Sequence, residues 1–184
     1  GKSALASNTT GDSNVAVGTN CLDANTTGGG LTSIGTGSLG SNTTASSNTA
    51  VGYNSLANNT TGAYNSAFGN QALEANSTAN HNTACGYKAL EANTTGTQNT
   101  SVGSYAADSI TTGSYNVSLG VNALGTTTGS DKNVAIGVQA LYQLTTGDYN
   151  VGVGYRALND ITTASQNTAI GGDASYNLTT GGSN

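Results

Sequence analysis

The residues able to carry catalytic or metal chemistry are few and lie far apart in the chain. His81 is the only imidazole, Cys21 and Cys85 are the only thiols, and the nine acidic residues occur singly. An activated nucleophile needs a base within hydrogen-bond reach, and a structural zinc site needs four Cys, His or carboxylate ligands. The acids also lack the Gly- and Asp-rich spacing of calcium-binding repeats. We therefore expect no catalytic residue, no metal site and no cofactor.

A second pattern with chemical meaning is Asn followed by two Thr or Ser residues, which forms an N-glycosylation sequon. It occurs at Asn8, Asn25, Asn42, Asn59, Asn76 and Asn93. These side chains either carry glycans in a secreted protein or stack on one another and hydrogen-bond the local backbone, and we favour the stacked arrangement. The Thr pairs also suggest ice binding, but only one Thr of each pair can face outward from an extended segment, which disfavours that function.

Exposed tyrosines are the third candidate group. Six of them occur at two recurring places in the sequence, namely Tyr53, Tyr87 and Tyr155 at one and Tyr64, Tyr115 and Tyr149 at the other. Exposed aromatic rings are suited to contacts with glycans or other fibres. The alternative is that the rings lie over the edges of strands and shield the backbone from water.

These groups recur because the whole chain is built from a 17-residue repeat. Its consensus is N-T-A-V-G-x-x-A-L-x-x-N-T-T-G-x-x, and the Gly at position 5 recurs from Gly18 to Gly171 without any insertion. We number positions from the Asn and call residues that share a position a column. Residues 1–184 are predicted to be one repeat array, a window of a longer fibre, with a partial repeat at 1–13, ten repeats at 14–183 and the start of another at 184.

The columns separate polar from apolar residues. All charged residues, all tyrosines and the His lie at positions 6, 7, 10, 11, 16 and 17. Segregation at a fixed period indicates that equivalent residues stack into ladders. The predicted ladder at position 4 includes Val17, Ile34, Val51, Phe68, Val102, Leu119, Ile136, Val153 and Ile170, and the one at position 9 includes Leu22, Leu56, Leu73, Leu90, Leu124, Leu141 and Leu158. From Ile110 onward position 12 becomes mostly apolar, which we interpret as repacking of the interior or of a seam between chains.

The repeat predicts an all-β fold, a parallel β-solenoid or β-roll with one repeat per coil. The recurring Gly and Thr oppose helix, and neighbouring coils of a solenoid lie about 4.8 Å apart. Positions 1–4 and 6–9 are predicted to form two short extended runs. The Gly at position 5 and the T-T-G phrase are predicted to form corners that need a positive φ or a close approach of two backbones.

Both faces of these runs are uncharged, so we expect both to be shielded from water. One face then lines the coil and the other is covered by a second copy of the chain in a homo-oligomer. The alternative is that both columns point into the coil. On this basis Val51→Asp should disrupt the stack, whereas Asn54→Asp should be tolerated. Cys21 at position 8 and Cys85 at position 4 lie four coils apart, too far for a disulfide, and are expected to be buried free thiols.

Charge and hydropathy exclude two classes of partner. With a net charge of -5 and only four Lys and Arg residues, the chain cannot build the basic surface that nucleic acids require. No run of 18 apolar residues is present, so we expect no membrane insertion.

The motifs resemble those of known fibrous proteins. "NVAVG" at 14–18, "NVAIG" at 133–137 and "NTAIG" at 167–171 resemble the YadA-like head repeats of trimeric autotransporter adhesins. The longer phrase "NTAVGYNSLANNTTG" at 48–62 is similar to repeats of bacteriophage tail fibres and related surface proteins. The adhesin resemblance implies a trimer of left-handed parallel β-rolls that attaches cells to surfaces. It also implies an extracellular location, on a cell surface or in a virion fibre.

The sequence therefore predicts a structural fibre segment, the shaft or head of an adhesin or phage-type tail fibre. Such a segment would act as a stiff hydrogen-bonded rod, with copies of the chain as its partners and a trimer favoured. Two alternatives remain open. One is a self-assembling extracellular filament with neighbouring solenoids as partners, and the other is a solenoid binding module for a glycan receptor or ice.

Overall fold

The chain forms a parallel β-solenoid. The computed structural model describes residues 1–179, so the start of a further repeat at Asn184 lies outside the described residues. Ten strands of three residues each form one parallel sheet in sequence order, and residues 1–179 contain no helix. The strands are β1 (Val15–Val17), β2 (Thr32–Ile34), β3 (Thr49–Val51), β4 (Ser66–Phe68), β5 (Thr83–Cys85), β6 (Thr100–Val102), β7 (Val117–Leu119), β8 (Val134–Ile136), β9 (Val151–Val153) and β10 (Thr168–Ile170).

The register of the sheet follows the repeat. Val17 pairs with Ile34, and Ile34 pairs with Val51. The same position-to-position pairing continues to Val153 and Ile170 in the last two strands. A slip of one residue would turn every inward side chain outward, so a fixed period of side chains holds a fixed register. The expected winding of one coil per repeat is confirmed.

Positions 6–9 do not form the second strand that the sequence predicts. Lys88 and Leu90 have left-handed backbones, with φ of 57° and 52°, and the same conformation recurs at positions 7 and 9 in other coils. Ala89 and Leu90 are both fully buried. Adjacent residues of a strand face opposite sides, so a strand would expose one of the two. The left-handed residues bend the chain so that both side chains point inward, and this is why the prediction was wrong.

Small and medium apolar side chains fill the interior. The Leu column at position 9 is buried, as are most of the small residues at positions 3 and 8. A left-handed backbone at Leu destabilises the fold by about 1–2 kcal/mol, and burial of the Leu side chain stabilises it by about 1.5–3 kcal/mol. The conformation is therefore stable only when the side chain is buried between coils.

The Asn column at position 12 is a buried hydrogen-bonded ladder. Asn59 Nδ2 donates to Asn42 Oδ1 at 3.1 Å and to the carbonyl of Gly62 at 2.9 Å. Asn76 Nδ2 donates in turn to Asn59 Oδ1 at 2.8 Å. The stacked arrangement favoured from the sequence is the observed one. A glycan on these buried side chains would require the coil to open.

A second Asn ladder, at position 1, was not anticipated from the sequence. The backbone N–H of Asn65 donates to Asn48 Oδ1 at 2.8 Å, and Asn65 Nδ2 donates to the carbonyl of Ala79 at 2.8 Å. Each such side chain therefore connects one coil to the next and also ties the start of the strand to the T-T-G corner of its own coil. The recurrence of Asn immediately before nine of the ten strands, with Leu31 before β2 as the exception, was the signal for this role.

The position-12 ladder ends at Asn93, because the next residue in the column is Ile110. The Asn93 Oδ1 atom is buried and has no hydrogen-bond partner. Beyond it the column is apolar or Thr and remains buried, at Ile110, Thr127, Leu144 and Ile161. The change in composition is therefore a repacking of the interior, within one continuous sheet.

Substitutions in the middle and at the end of the position-12 Asn ladder test whether the ladder stabilises the fold. Asn59→Leu would leave Asn42 Oδ1 buried without a donor and would remove an acceptor from Asn76 Nδ2. Asn93→Leu would move the existing unpartnered oxygen one coil back without adding another. Since each orphaned buried polar group costs about 1–3 kcal/mol, we expect Asn59→Leu to be the more destabilising by about 2 kcal/mol in denaturant unfolding. Equal losses for the two variants would contradict the ladder as a source of stability.

Candidate functional site

The outward face of the sheet is the main candidate for an interaction surface. Alternate residues of a strand face opposite sides, so position 3 points into the coil while positions 2 and 4 point out. Val17, Phe68 and Ile170 at position 4 are 57%, 43% and 73% exposed. The alternative in which both columns point inward is therefore wrong for positions 3 and 4, but it holds for positions 8 and 9, where Ala89 and Leu90 are both buried. We call positions 2, 4 and 6 of the ten strand-bearing coils the outward strip.

The outward strip is long, largely apolar at position 4 and free of charge. Positions 1–5 carry no charged residue in any repeat, and the only charge at position 6 is Lys2, which precedes the first strand. Nine strand spacings of about 4.8 Å give the strip a length of about 43 Å. Contiguous exposed apolar surface of this kind marks interaction sites in soluble proteins.

Cys85 does not have the buried environment expected for it. Cys21 is buried and its thiol donates to the carbonyl of Gly18 at 3.1 Å, but Cys85 is exposed. The reason is that Cys85 is the last residue of β5 and belongs to the outward column at position 4. It provides an accessible thiol within the outward strip.

From the sequence, Val51→Asp is expected to disrupt the stack, but Val51 also belongs to the outward column at position 4. Val51 is only half-buried and points away from the coil interior, whereas its neighbour Ala50 is fully buried. A carboxylate at position 51 would face water in the single chain. The position at which a charge disrupts the coil is therefore 50, and the prediction for position 51 was wrong for the isolated solenoid.

The six candidate tyrosines are all exposed, at Tyr53, Tyr64, Tyr87, Tyr115, Tyr149 and Tyr155. Several of their rings contact the neighbouring coil. Tyr64 stacks on His81 with ring centroids 5.0 Å apart and planes 3° from parallel, and Lys132 Nζ donates to the Tyr149 hydroxyl at 2.6 Å. Tyr64 and His81 therefore cover one face of each other's ring, which reduces the flat aromatic surface open to a sugar.

The Thr pairs behave as the alternation of side chains predicts. The position-13 hydroxyl donates to a main-chain carbonyl of the next coil, as Thr60 Oγ1 does to Ser77 O and Thr94 Oγ1 to Thr111 O, both at 3.0 Å. Position 14, exemplified by Thr61, is exposed. One outward column per pair leaves a single line of Thr, which is a narrow surface for ice.

Acidic side chains form a short column at position 10. Glu74, Glu91 and Asp108 lie in consecutive coils, and Lys88 Nζ pairs with Glu91 at 2.8 Å. Within residues 1–179 no three His, Cys, Asp or Glu side chains are placed to hold a metal ion, and no pocket is found. Partial burial raises the pKa of the Asp108 carboxyl, and the nearby Glu91 carboxylate raises that pKa further.

Asp108→Asn tests this electrostatic environment. A raised pKa means that the folded chain binds the proton more tightly than the unfolded chain, so Asp108 contributes stability as pH falls through its folded pKa. At neutral pH the ionised group lacks that contribution, and we expect the Asn variant to melt at a higher temperature than the wild type. The difference in melting temperature should close as the pH falls below about 4, where Asp108 becomes protonated in both the folded and the unfolded wild-type chain. A difference that is independent of pH would contradict this account.

Comparison with protein-family models, curated proteins and solved structures gives no match for this chain. The resemblance of its motifs to adhesin and tail-fibre repeats therefore stays a prediction. In the described part of the chain no helix has the length and hydropathy needed to cross a bilayer. The functional conclusion depends on the solenoid and its outward strip.

Proposed function

We propose that this chain is a rod-forming structural segment of an extracellular fibre, the shaft or head of a cell-surface adhesin or phage-type tail fibre. The observation that carries the proposal is the uninterrupted register of the ten-stranded sheet. A protein whose repeats contact only their neighbours is a quasi-one-dimensional object, and its length scales with the number of repeats. Such a segment holds a terminal binding element at a distance from the surface that bears it.

The hydrogen bonds between coils support the mechanical role. Around a single coil, the N–H of Gly86 donates to Phe68 at 2.8 Å, and the N–H of Lys88 donates to Asn70 at 3.0 Å. On the other side of the coil, the N–H of Leu90 donates to Ala106 at 3.0 Å. These bonds connect successive coils, and the same set recurs along the array. A pull along the rod is therefore shared among several bonds at each junction between coils.

The outward strip supports assembly from several copies of the chain. Water covers this apolar surface in the single solenoid, and burial of apolar surface is the main driving force for association. Each copy has a net charge of -5, so copies meet most favourably through a surface without charge. A parallel bundle with the strips facing its axis meets both conditions, and the adhesin resemblance favours three chains.

Mass measurement in solution combined with electron microscopy tests the proposal. We expect a mass equal to a small multiple of the chain mass, three being favoured, and a thin straight particle. A compact monomeric particle would refute the fibre proposal. A rod that contains one chain would be consistent with the solenoid and would contradict the proposed bundle.

A further inference from the structure

The outward strip is not uniform along its length. In the coils of β7, β8 and β9, positions 2, 4 and 6 are all apolar or aromatic. In most other coils positions 2 and 6 hold Thr, Ser, Asn or Tyr. We call the following nine residues the broad patch: Val117, Leu119, Val121, Val134, Ile136, Val138, Val151, Val153 and Tyr155.

In the single chain, five of the nine residues of the broad patch are exposed and the other four are half-buried. Leu119 and Val121 are each 44% exposed, and Val138 is 42% exposed. Positions 1–6 of these three repeats contain no charged residue. Three adjacent coils therefore present apolar side chains across the full width of the strip.

The other repeats act as internal controls for what folding requires. Thr32 at position 2 and Thr36 at position 6 occupy a coil that pairs in the same register as β7, β8 and β9. Position 6 in that coil is exposed, as it is at Val121 and Val138. A Val at these places is thus not needed to fill the interior or to set the register. We therefore interpret the Val residues of the broad patch as suited to contact with another surface that covers them from outside.

The size of the strip limits the kind of contact that can cover the patch. Four residue rises of about 3.3 Å and a length of about 43 Å give the whole strip an area of about 560 Å². By the same dimensions, with two strand spacings from β7 to β9, the broad patch alone covers about 130 Å², and both areas are below the roughly 800 Å² per partner of a stable interface. A stable contact therefore has to use the whole strip and the columns that flank it, with the patch as its apolar centre and the more polar remainder as its rim.

We propose that copies of this chain pack against one another through the broad patch, in parallel register, and that this patch supplies most of the association free energy of the bundle. A second copy offers a straight, uncharged strip of the same length, and parallel register brings patch onto patch. This inference depends on the proposed bundle and identifies the residues through which its chains make their main contact. The few well-buried residues at the centre of an interface usually dominate binding.

The double variant Val121→Thr with Val138→Thr tests the proposal, since Thr is the residue at Thr19 and Thr36 in the same column. We expect its circular dichroism and melting behaviour to match the wild type under conditions where both are dissociated. In sedimentation velocity its association should weaken by at least tenfold. The matched control is Val15→Thr with Val17→Thr in β1, which makes the same chemical change in the strip outside the patch and should weaken association by less than threefold.

Three results would overturn the inference. An oligomeric wild type with an equally oligomeric patch variant would show that the patch is not the seat of association, and the fibre proposal would survive. Equal weakening by the patch and control variants would show that association is spread evenly along the strip. A monomeric wild type would remove the bundle altogether and leave the patch to a different partner.

Discussion

Ala50→Asp is expected to unfold the coils around β3, whereas Val51→Asp leaves the isolated solenoid folded. The two residues are adjacent in one strand but face opposite sides of the sheet. Ala50 is fully buried among the small residues of the core. An ionised carboxylate in that position has no partner, and its effective desolvation costs several kcal/mol. That cost is a large share of the roughly 5–15 kcal/mol by which a typical domain is stable.

The measurement is the thermal unfolding of both variants by circular dichroism, at a concentration where the wild-type chain is dissociated. Ala50→Asp should show little cooperative unfolding, and Val51→Asp should melt within a few degrees of the wild type. Val51→Asp should reveal its effect at higher concentration, as a loss of association. Equal melting temperatures of the two isolated chains would refute the assignment of the inward and outward faces.

Gly86→Ala is expected to destabilise the solenoid by about 3 kcal/mol or more, through two separate costs. Gly86 has a φ of 144°, a conformation that other residues rarely adopt, and a Cβ at this position would collide with the carbonyl oxygen of Gly103. Backbone strain of this kind costs about 1–3 kcal/mol, and overpacking in a close contact costs a similar amount. The neighbouring coil cannot retreat without losing its own hydrogen bonds, so the two costs add.

Gly172→Ala is the matched control for that variant. Gly172 follows the position-5 Gly of the last described coil, its φ lies outside the strained range, and no atom lies within 4 Å of the place that a Cβ would occupy. We expect its free energy of unfolding to stay within about 0.5 kcal/mol of the wild type. Denaturant unfolding of both variants provides the comparison. A loss at Gly172 equal to that at Gly86 would mean that the position-5 corner is not special.

The period and the register were predictable from the sequence because one observation determines both. Gly recurs every 17 residues without insertion, and a solenoid with one coil per repeat places Val17, Ile34 and Val51 in one row. The position-5 corner was also predictable. Its Gly has both the positive φ and the close backbone contact that the sequence analysis expected as alternatives.

The backbone of positions 6–9 was not predictable by the same reasoning. Alternation of side chains holds only within a strand, and left-handed residues such as Lys88 and Leu90 break it. Nothing in the residue types signals this conformation, because Leu is disfavoured there. The absence of charge at positions 8 and 9, as at Ala89 and Leu90, was the available clue, and it was taken as a sign of two shielded faces.

The candidate surface was only partly predictable. Composition marked position 4 as uncharged but did not distinguish a column inside the coil from one on its outward face. The exposure of Cys85 and the half-burial of Val51 follow from strand geometry once the bounds of β5 and β3 are known. The broad patch in β7, β8 and β9 was visible in the sequence as Val at positions 2 and 6, but it gained meaning only when those positions were placed outside.

Distances between spin labels along one column test the central claim that the chain advances by one strand spacing per repeat. Cys labels replace Thr36, Ser104 and Gly172, which share position 6 and lie four coils apart, in a chain without Cys21 and Cys85 and diluted with unlabelled protein. The solenoid predicts about 19 Å between labels at 36 and 104, and about 38 Å between labels at 36 and 172. A longer distance that is not about twice the shorter one would contradict the fold and the fibre function proposed from it.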